Sequence, residues 1–87
     1  MYYVYILQSQ KDKMLYVGFT KNLKRRLNQH INGQVIATKN RLPLKLIYYE
    51  VYVNIKDAII REKYYKTGFG RRTLKAKLKN SFLSLGA

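Results

Sequence analysis

Apolar and polar positions change period along the chain, and the changes mark its elements. Tyr2 to Leu7 is an aromatic and branched run bounded by the polar stretch Gln8 to Lys13, which contains Asp12. That pattern predicts a strand ending in a turn. Leu15 to Phe19 is a second short strand, close enough to the first to predict an antiparallel hairpin. Thr20 stands immediately before a helical pattern, where its hydroxyl can cap free backbone N–H groups. Leu23, Leu27 and Ile31 then recur at four-residue steps as the core stripe, until Gly33 stops the helix.

The segment from Gln34 to Pro43 has no period and holds Lys39 and Arg41, so it reads as a basic loop. Leu44 to Val53 is the longest strand. Strict alternation puts Leu44, Leu46 and Tyr48 on one face and Ile47, Tyr49, Val51 and Val53 on the other, which predicts a central strand covered on both sides. Asn54 caps a further helix in which Ile55, Ala58, Ile59, Glu62 and Tyr65 share a face, ended by Gly68. Asp57, three residues after Asn54, completes a variant capping box. Arg71 to Leu83 is a last basic helix with Leu74, Leu78 and Phe82 on one side. The run Ser81 to Ala87 is free to pack on the core or on a second copy. No internal repeat, linker or low-complexity tract is visible.

Length sets the first limit, since 87 residues make one domain with one modest core. With no cysteine and a single histidine, disulfides, thiolate metal sites and multi-imidazole zinc sites are excluded. A metal here must therefore sit on oxygen ligands. The apolar runs are strand-length, and Met1-Tyr2-Tyr3 has neither the charged start nor the apolar stretch of a signal peptide. A soluble cytoplasmic protein with no membrane partner is the expectation.

Charge is the second limit. The 18 Lys and Arg against 4 Asp and Glu give a formal net charge of +14. So much like charge on a small surface opposes compactness and becomes useful beside a polyanion, of which nucleic acid is the natural one. Solubility alone would need far less charge, of either sign.

The four acids sort by elimination. Asp12 belongs to a turn, Asp57 to a helix start, and Glu50 to a strand face shared with Tyr48 and Tyr52. Glu62 lies on an otherwise apolar helix face, where a carboxylate is costly unless it is paired or holds a cation. Composition alone leans slightly toward an ion pair with a neighbouring Lys or Arg.

Arg26 and His30 are four residues apart and lie on the same side of the first helix, at the edge of its apolar stripe, where they can border a cleft. Arginine there can grip a phosphate with parallel donors, and histidine can donate to a phosphate or position a water. Lys21, Lys24 and Arg25 on the same helix form a solvated, nucleic-acid-facing surface, to which Lys39, Arg41, Arg71 and Arg72 add. Nine tyrosines exceed what packing requires, because phenylalanine packs as well without a hydroxyl to satisfy. Tyr3, Tyr5 and Leu7 share a face that Tyr16 can join across the hairpin. Tyr2, Tyr48, Tyr49, Tyr52 and Tyr64 read as packing residues with hydroxyls at the surface. Gly18, lacking a side chain in a strand, suggests close approach by another backbone or a ligand.

Tyr3-Val4-Tyr5, Tyr16-Val17-Gly18-Phe19-Thr20, Asn22-Leu23-Lys24-Arg25-Arg26-Leu27 with His30, and Arg61-Glu62-Lys63 together resemble the GIY-YIG nuclease superfamily. The likeness is to small single-domain bacterial members related to the N-terminal domain of the excision-repair subunit UvrC, and it covers almost the whole chain. It implies an α/β domain of the α+β sandwich kind, a three-stranded antiparallel sheet flanked by helices spanning residues 1–87. It also implies hydrolysis of a DNA phosphodiester with one divalent ion, Mg²⁺ or Mn²⁺. By position, Tyr5 and Tyr16 match the motif tyrosines that orient or deprotonate water, Arg26 the helix arginine and His30 the histidine of many members. Glu62 matches the metal-binding glutamate, and the likeness moves its reading from ion pair to metal ligand. Tyr3 stands where glycine is usual and Val17 where isoleucine is. Phe19 replaces a polar residue, and Asn80 falls later than the family's asparagine.

The resemblance leaves open which tyrosine is the base, and whether the DNA is branched or damaged, as a repair role would require. It also leaves two other readings: a catalytically weak nucleic-acid-binding module or partner-dependent subunit, and a basic ribosome-associated protein.

Overall fold

A computed structural model describes residues 1–84. The elements run β1 (Tyr2–Ser9), β2 (Leu15–Thr20), α1 (Leu23–Ile31), β3 (Leu44–Tyr52), α2 (Ile55–Tyr65), α3 (Gly68–Lys77) and α4 (Lys79–Ser84). The last part of the run beginning at Ser81, residues 85–87, lies outside the described residues.

The sheet is three-stranded and antiparallel throughout, in the order β2-β1-β3. The expected hairpin forms between β1 and β2, with Tyr5 opposite Gly18 and Leu7 opposite Tyr16. The strand expected at the centre is an edge. β1 is central, and Val4 to Ser9 are buried along it, whereas on β3 Tyr49 and Val51 remain 48% and 46% exposed. Apolar residues on both faces of β3 therefore do not signal cover on both sides. A register shift explains the misleading alternation: Ile6 pairs with Tyr48 and Leu7 with Leu46, which leaves Ile47 as an extra residue. Ile47 consequently packs with Tyr48 and Tyr52 against the core, and Leu46 and Tyr49 turn to the other face.

The core fills one face of the sheet. Val4, Ile6, Leu15 and Val17 meet Ala58 and Tyr65 of α2 and Leu74 and Leu78 at the α3–α4 junction. By strand alternation Tyr3, Tyr5 and Leu7 face the other way, toward α1. Helices thus cover both faces of one sheet, an α+β architecture that agrees with the fold expected from sequence.

Local boundaries differ from the sequence pattern in instructive ways. Asn22, not Thr20, caps α1: its backbone is extended and its Oδ1 accepts the Arg25 N–H at 3.0 Å, while Thr20 ends β2 and its Oγ1 accepts the Asn22 N–H at 3.1 Å. Gly33, at φ +71°, ends the helix region in the left-handed conformation that glycine allows. Asn54 caps α2 as expected, but through the Lys56 N–H at 2.8 Å rather than through a box with Asp57. Gly68 opens α3 instead of closing α2, because Thr67 Oγ1 accepts the Gly70 N–H at 3.0 Å. The single basic helix expected from Arg71 to Leu83 is two helices that break at Leu78, although Leu74 and Leu78 are buried and Phe82 packs on the core as its stripe requires.

Candidate active site

Gly18 is where the site begins. A Cβ there would overlap Cζ and the hydroxyl of Tyr5, so the missing side chain is the space in which the Tyr5 ring lies flat across β2. The close approach expected at this glycine is made by a neighbouring side chain. Tyr5 is 1% exposed, and its ring lies 6.3 Å from that of Tyr16, centroid to centroid.

α1 completes the cluster from above. His30 is 1% exposed, whereas Ile31, expected in the core stripe, is 59% exposed. The last turn of α1 thus buries an imidazole and leaves the isoleucine in water. The reason is across the sheet: the Tyr5 hydroxyl lies 2.9 Å from His30 Nε2, and Thr38 Oγ1 lies 2.7 Å from His30 Nδ1. Both ring nitrogens are satisfied, which lets a polar ring replace an apolar one in the interior. The His30 ring stands edge-on to Tyr5 at 5.6 Å and to Tyr16 at 5.2 Å.

Burial drives the electrostatics of this group. It pushes the Tyr5 hydroxyl up to about 12, with Arg26 opposing and the charge of Glu62 adding to the rise. Burial, helped by the Arg26 charge, pulls His30 down to about 4, so the ring is neutral at physiological pH. Arg26 and Glu62 therefore both act electrostatically on Tyr5, and Arg26 also acts on His30. Arg26 is partly buried and steadied by Gln29, whose Oε1 accepts from Nη1 at 3.0 Å.

Glu62 is ion-paired with Lys66 at 3.2 Å, one turn along α2; its side chain is 21% exposed and that of Lys66 is 53%. Among the described residues no three His, Cys, Asp or Glu side chains come together to hold a metal. Glu62 alone is a donor set suited to a hard cation that keeps most of its ligands as water and substrate oxygens.

The seven basic residues expected to meet nucleic acid divide. Lys21, Lys24, Arg25, Lys39 and Arg72 are exposed. Arg41 is engaged with Asp12 at 3.2 Å, and Arg71 donates to the Leu15 carbonyl at 3.3 Å, so these two also brace the β1–β2 turn region. Beside α1, an open groove is lined by Tyr3, Lys21, Leu23, Lys24, Leu46 and Tyr49.

Sequence reasoning passed over two features. Thr38 sits in the basic loop with no periodicity to mark it, yet it is fully buried against His30. Glu50, read as an ordinary strand residue, is the more buried carboxylate, 13% exposed against 21% for Glu62. It accepts from Tyr48 at 2.7 Å, from Tyr65 at 2.5 Å and from Tyr52, and it pairs with Arg61 at 3.3 Å and Lys77 at 3.8 Å. Burial alone would raise its pKa, but the hydroxyls and Arg61 outweigh that and hold the carboxyl below its usual range. The Tyr48 and Tyr52 hydroxyls thus turn inward, and Tyr64 bonds Thr73 Oγ1 at 2.8 Å. The hub ties β3 to α2 and α3 on the sheet face away from Tyr5.

The first two strands of the three-stranded antiparallel sheet thus bring Tyr5 and Tyr16 onto His30 of α1. The GIY-YIG catalytic domain profile matches residues 1–75, and the chain belongs to the GIY-YIG family. It is similar to a UPF0213 protein of Clostridium perfringens, 46% identical over 67 residues that cover 76% of this chain and 71% of that one. A UPF0213 protein of Limosilactobacillus reuteri is 43% identical over 68 residues, covering 75% and 70% respectively. One of Staphylococcus saprophyticus is 37% identical over 75 residues, covering 85% and 90%. No solved structure matches the chain. Membership makes this a nuclease-type hydrolase domain with a nucleic-acid substrate, of a family that uses divalent metals. No helix among the described residues is long and apolar enough to cross a membrane.

Proposed function

We propose that this protein is a metal-dependent endonuclease that hydrolyses DNA phosphodiester bonds by attack of water. The observation that carries the reading is the convergence of Tyr5, Tyr16 and His30 within 5.2–6.3 Å, ring centre to ring centre, under the charges of Arg26 and Glu62.

Each side chain has a role that its environment supports. Arg26 grips the scissile phosphate and stabilises its pentacoordinate transition state, where charge grows. Tyr16, partly exposed and not engaged by His30 through a hydrogen bond, orients the attacking water with its hydroxyl, and takes up the water's proton only as the phenolate, its own proton having passed to solvent. Tyr5, held by His30 and raised to about 12, stays protonated and so is not available as a base at neutral pH. Glu62 would hold Mg²⁺ or Mn²⁺ once Lys66 swings away, a small cost for a surface pair whose lysine is exposed and whose carboxylate is partly covered. When bound, such an ion supplies Lewis-acid stabilisation of the phosphate and the leaving oxygen. Lys21, Lys24, Arg25, Lys39 and Arg72 guide the DNA backbone electrostatically, with Arg41 and Arg71 at the margin. Branched or damaged DNA in a cytoplasmic repair setting is the substrate class that the likeness to UvrC suggests.

Incubation with plasmid and branched DNA, with Mg²⁺ or Mn²⁺ and then with EDTA, tests the proposal. Cleavage that stops with EDTA, and that Glu62→Ala and Arg26→Ala abolish, is the expected outcome. Equal cleavage by those variants would sink it. The Glu62–Lys66 pair favours one competing reading, a catalytically weak binding module. That reading predicts salt-sensitive DNA binding without cleavage in any metal.

A further inference from the structure

Of the nine tyrosines, the structure gives seven a place. The hydroxyls of Tyr48, Tyr52 and Tyr65 meet on Glu50, that of Tyr64 meets Thr73 Oγ1, and that of Tyr5 meets His30. Tyr2 stacks on Phe19 at 6.2 Å against the core, and Tyr16 belongs to the candidate active site. Tyr3 and Tyr49 are left over. Their rings lie 6.1 Å apart, and that of Tyr49 is half exposed on the edge strand.

Both stand on the sheet face that carries the site. Tyr49 is the register partner of Tyr5, and Val51 that of Tyr3, so Tyr3, Tyr5 and Tyr49 point the same way. Tyr3 and Tyr49 form the floor of an open groove of about 600 Å³, walled by Leu23 and Lys24 of α1, with Lys21 at its end and Leu46 beside Tyr49. The same helix thus turns Lys24 to the groove and Arg26 and His30 to Tyr5. The groove is lined by two lysines and by no carboxylate. An exposed aromatic floor with a cationic wall is what a nucleobase and its phosphate require, because every base has a face to stack and every linkage a negative charge. A second copy of the chain suits it less, since two chains of formal charge +14 would meet lysine to lysine.

We propose that this groove binds an unpaired nucleotide of the substrate strand, its base stacked on Tyr49 with Tyr3 behind and its phosphate held by Lys24. A base inside a duplex has both faces covered and cannot use the floor, so the groove favours single-stranded or extruded nucleotides. The proposal takes nucleic acid as the ligand, as the family reading does, and it requires no cleavage.

Fluorescence anisotropy in EDTA, where a metal-dependent cut cannot occur, tests it with a short oligothymidylate, an abasic strand of equal length and a blunt duplex. Wild type is expected to bind the oligothymidylate about 5-fold or more tighter than the abasic strand, the effect of one stacked base. Tyr49→Leu keeps an apolar side chain on the strand and should erase that difference while leaving duplex binding unchanged; Tyr49→Phe should behave as wild type. Lys24→Ala should reduce the log–log salt slope for the oligothymidylate by about 0.7, one phosphate contact. A folded Tyr49→Leu that still prefers the strand with bases, an equal loss on the duplex, or an unchanged slope in Lys24→Ala would overturn the proposal. So would a wild-type dimer in sedimentation that Tyr49→Leu dissociates, which would make a second copy the occupant. Preference for bases that depends on Tyr49, with no cleavage in any metal, would end the nuclease reading and support the groove.

Discussion

The Tyr5 ring occupies the volume that a side chain at Gly18 would need, across the β1–β2 pair. Glycine in the second motif is thus a packing requirement set by the tyrosine of the first. Gly18→Ala is expected to destabilise the protein by roughly 1–3 kcal/mol through overpacking, measured by urea unfolding. Tyr5→Ala should absorb most of that penalty. Purely additive losses in the double variant would contradict the contact.

His30 gives a pH signature with a definite sign. Its folded value of about 4 lies below its ordinary 6.5, so between those limits the unfolded chain binds a proton that the native protein does not. Stability should therefore fall as pH drops through that interval, and this contribution should be fully lost below about 4. Glu50, held below its unfolded value of 4.5, adds its own loss only at the acid end. Thermal melts across the range, compared with His30→Gln, should show a steeper decline in the wild type. Parallel curves would remove the assignment of a neutral buried imidazole.

Glu50 is expected to be the costliest single carboxylate to remove. Glu50→Ala leaves three tyrosine hydroxyls and Arg61 without their common acceptor, and breaking such a buried pair costs about 3–5 kcal/mol. Tyr52→Phe deletes one donor and should cost about 1 kcal/mol. Chemical denaturation of both variants checks the ranking.

Lys66 competes for the carboxylate assigned to the metal. Lys66→Met should change stability by no more than about 0.5 kcal/mol, as exposed helix pairs do. It should also lower the Mn²⁺ concentration needed for half-maximal cleavage. An unchanged or increased requirement would argue against Glu62 as the ligand.

Much of this protein is legible in its sequence because the determining signals are local. The hairpin, the start of α2 at Asn54, the end of α1 at Gly33 and the burial of Leu74 and Leu78 follow from period, caps and glycine, which act within a few residues. The family motifs are legible for the same reason, since their order and spacing survive without coordinates. Tertiary structure decided where partners come from distant segments. The extra residue at Ile47 split both expected faces of β3, joining Ile47 to Tyr48 and Leu46 to Tyr49, and strand order made that strand an edge. A hydroxyl supplied 25 residues away turned His30 inward in place of Ile31. Three tyrosines from β3 and α2 made Glu50 a buried hub. Hydrophobic patterning ranks residues by their own transfer free energy, and that ranking fails where a buried polar group finds its partner across the fold.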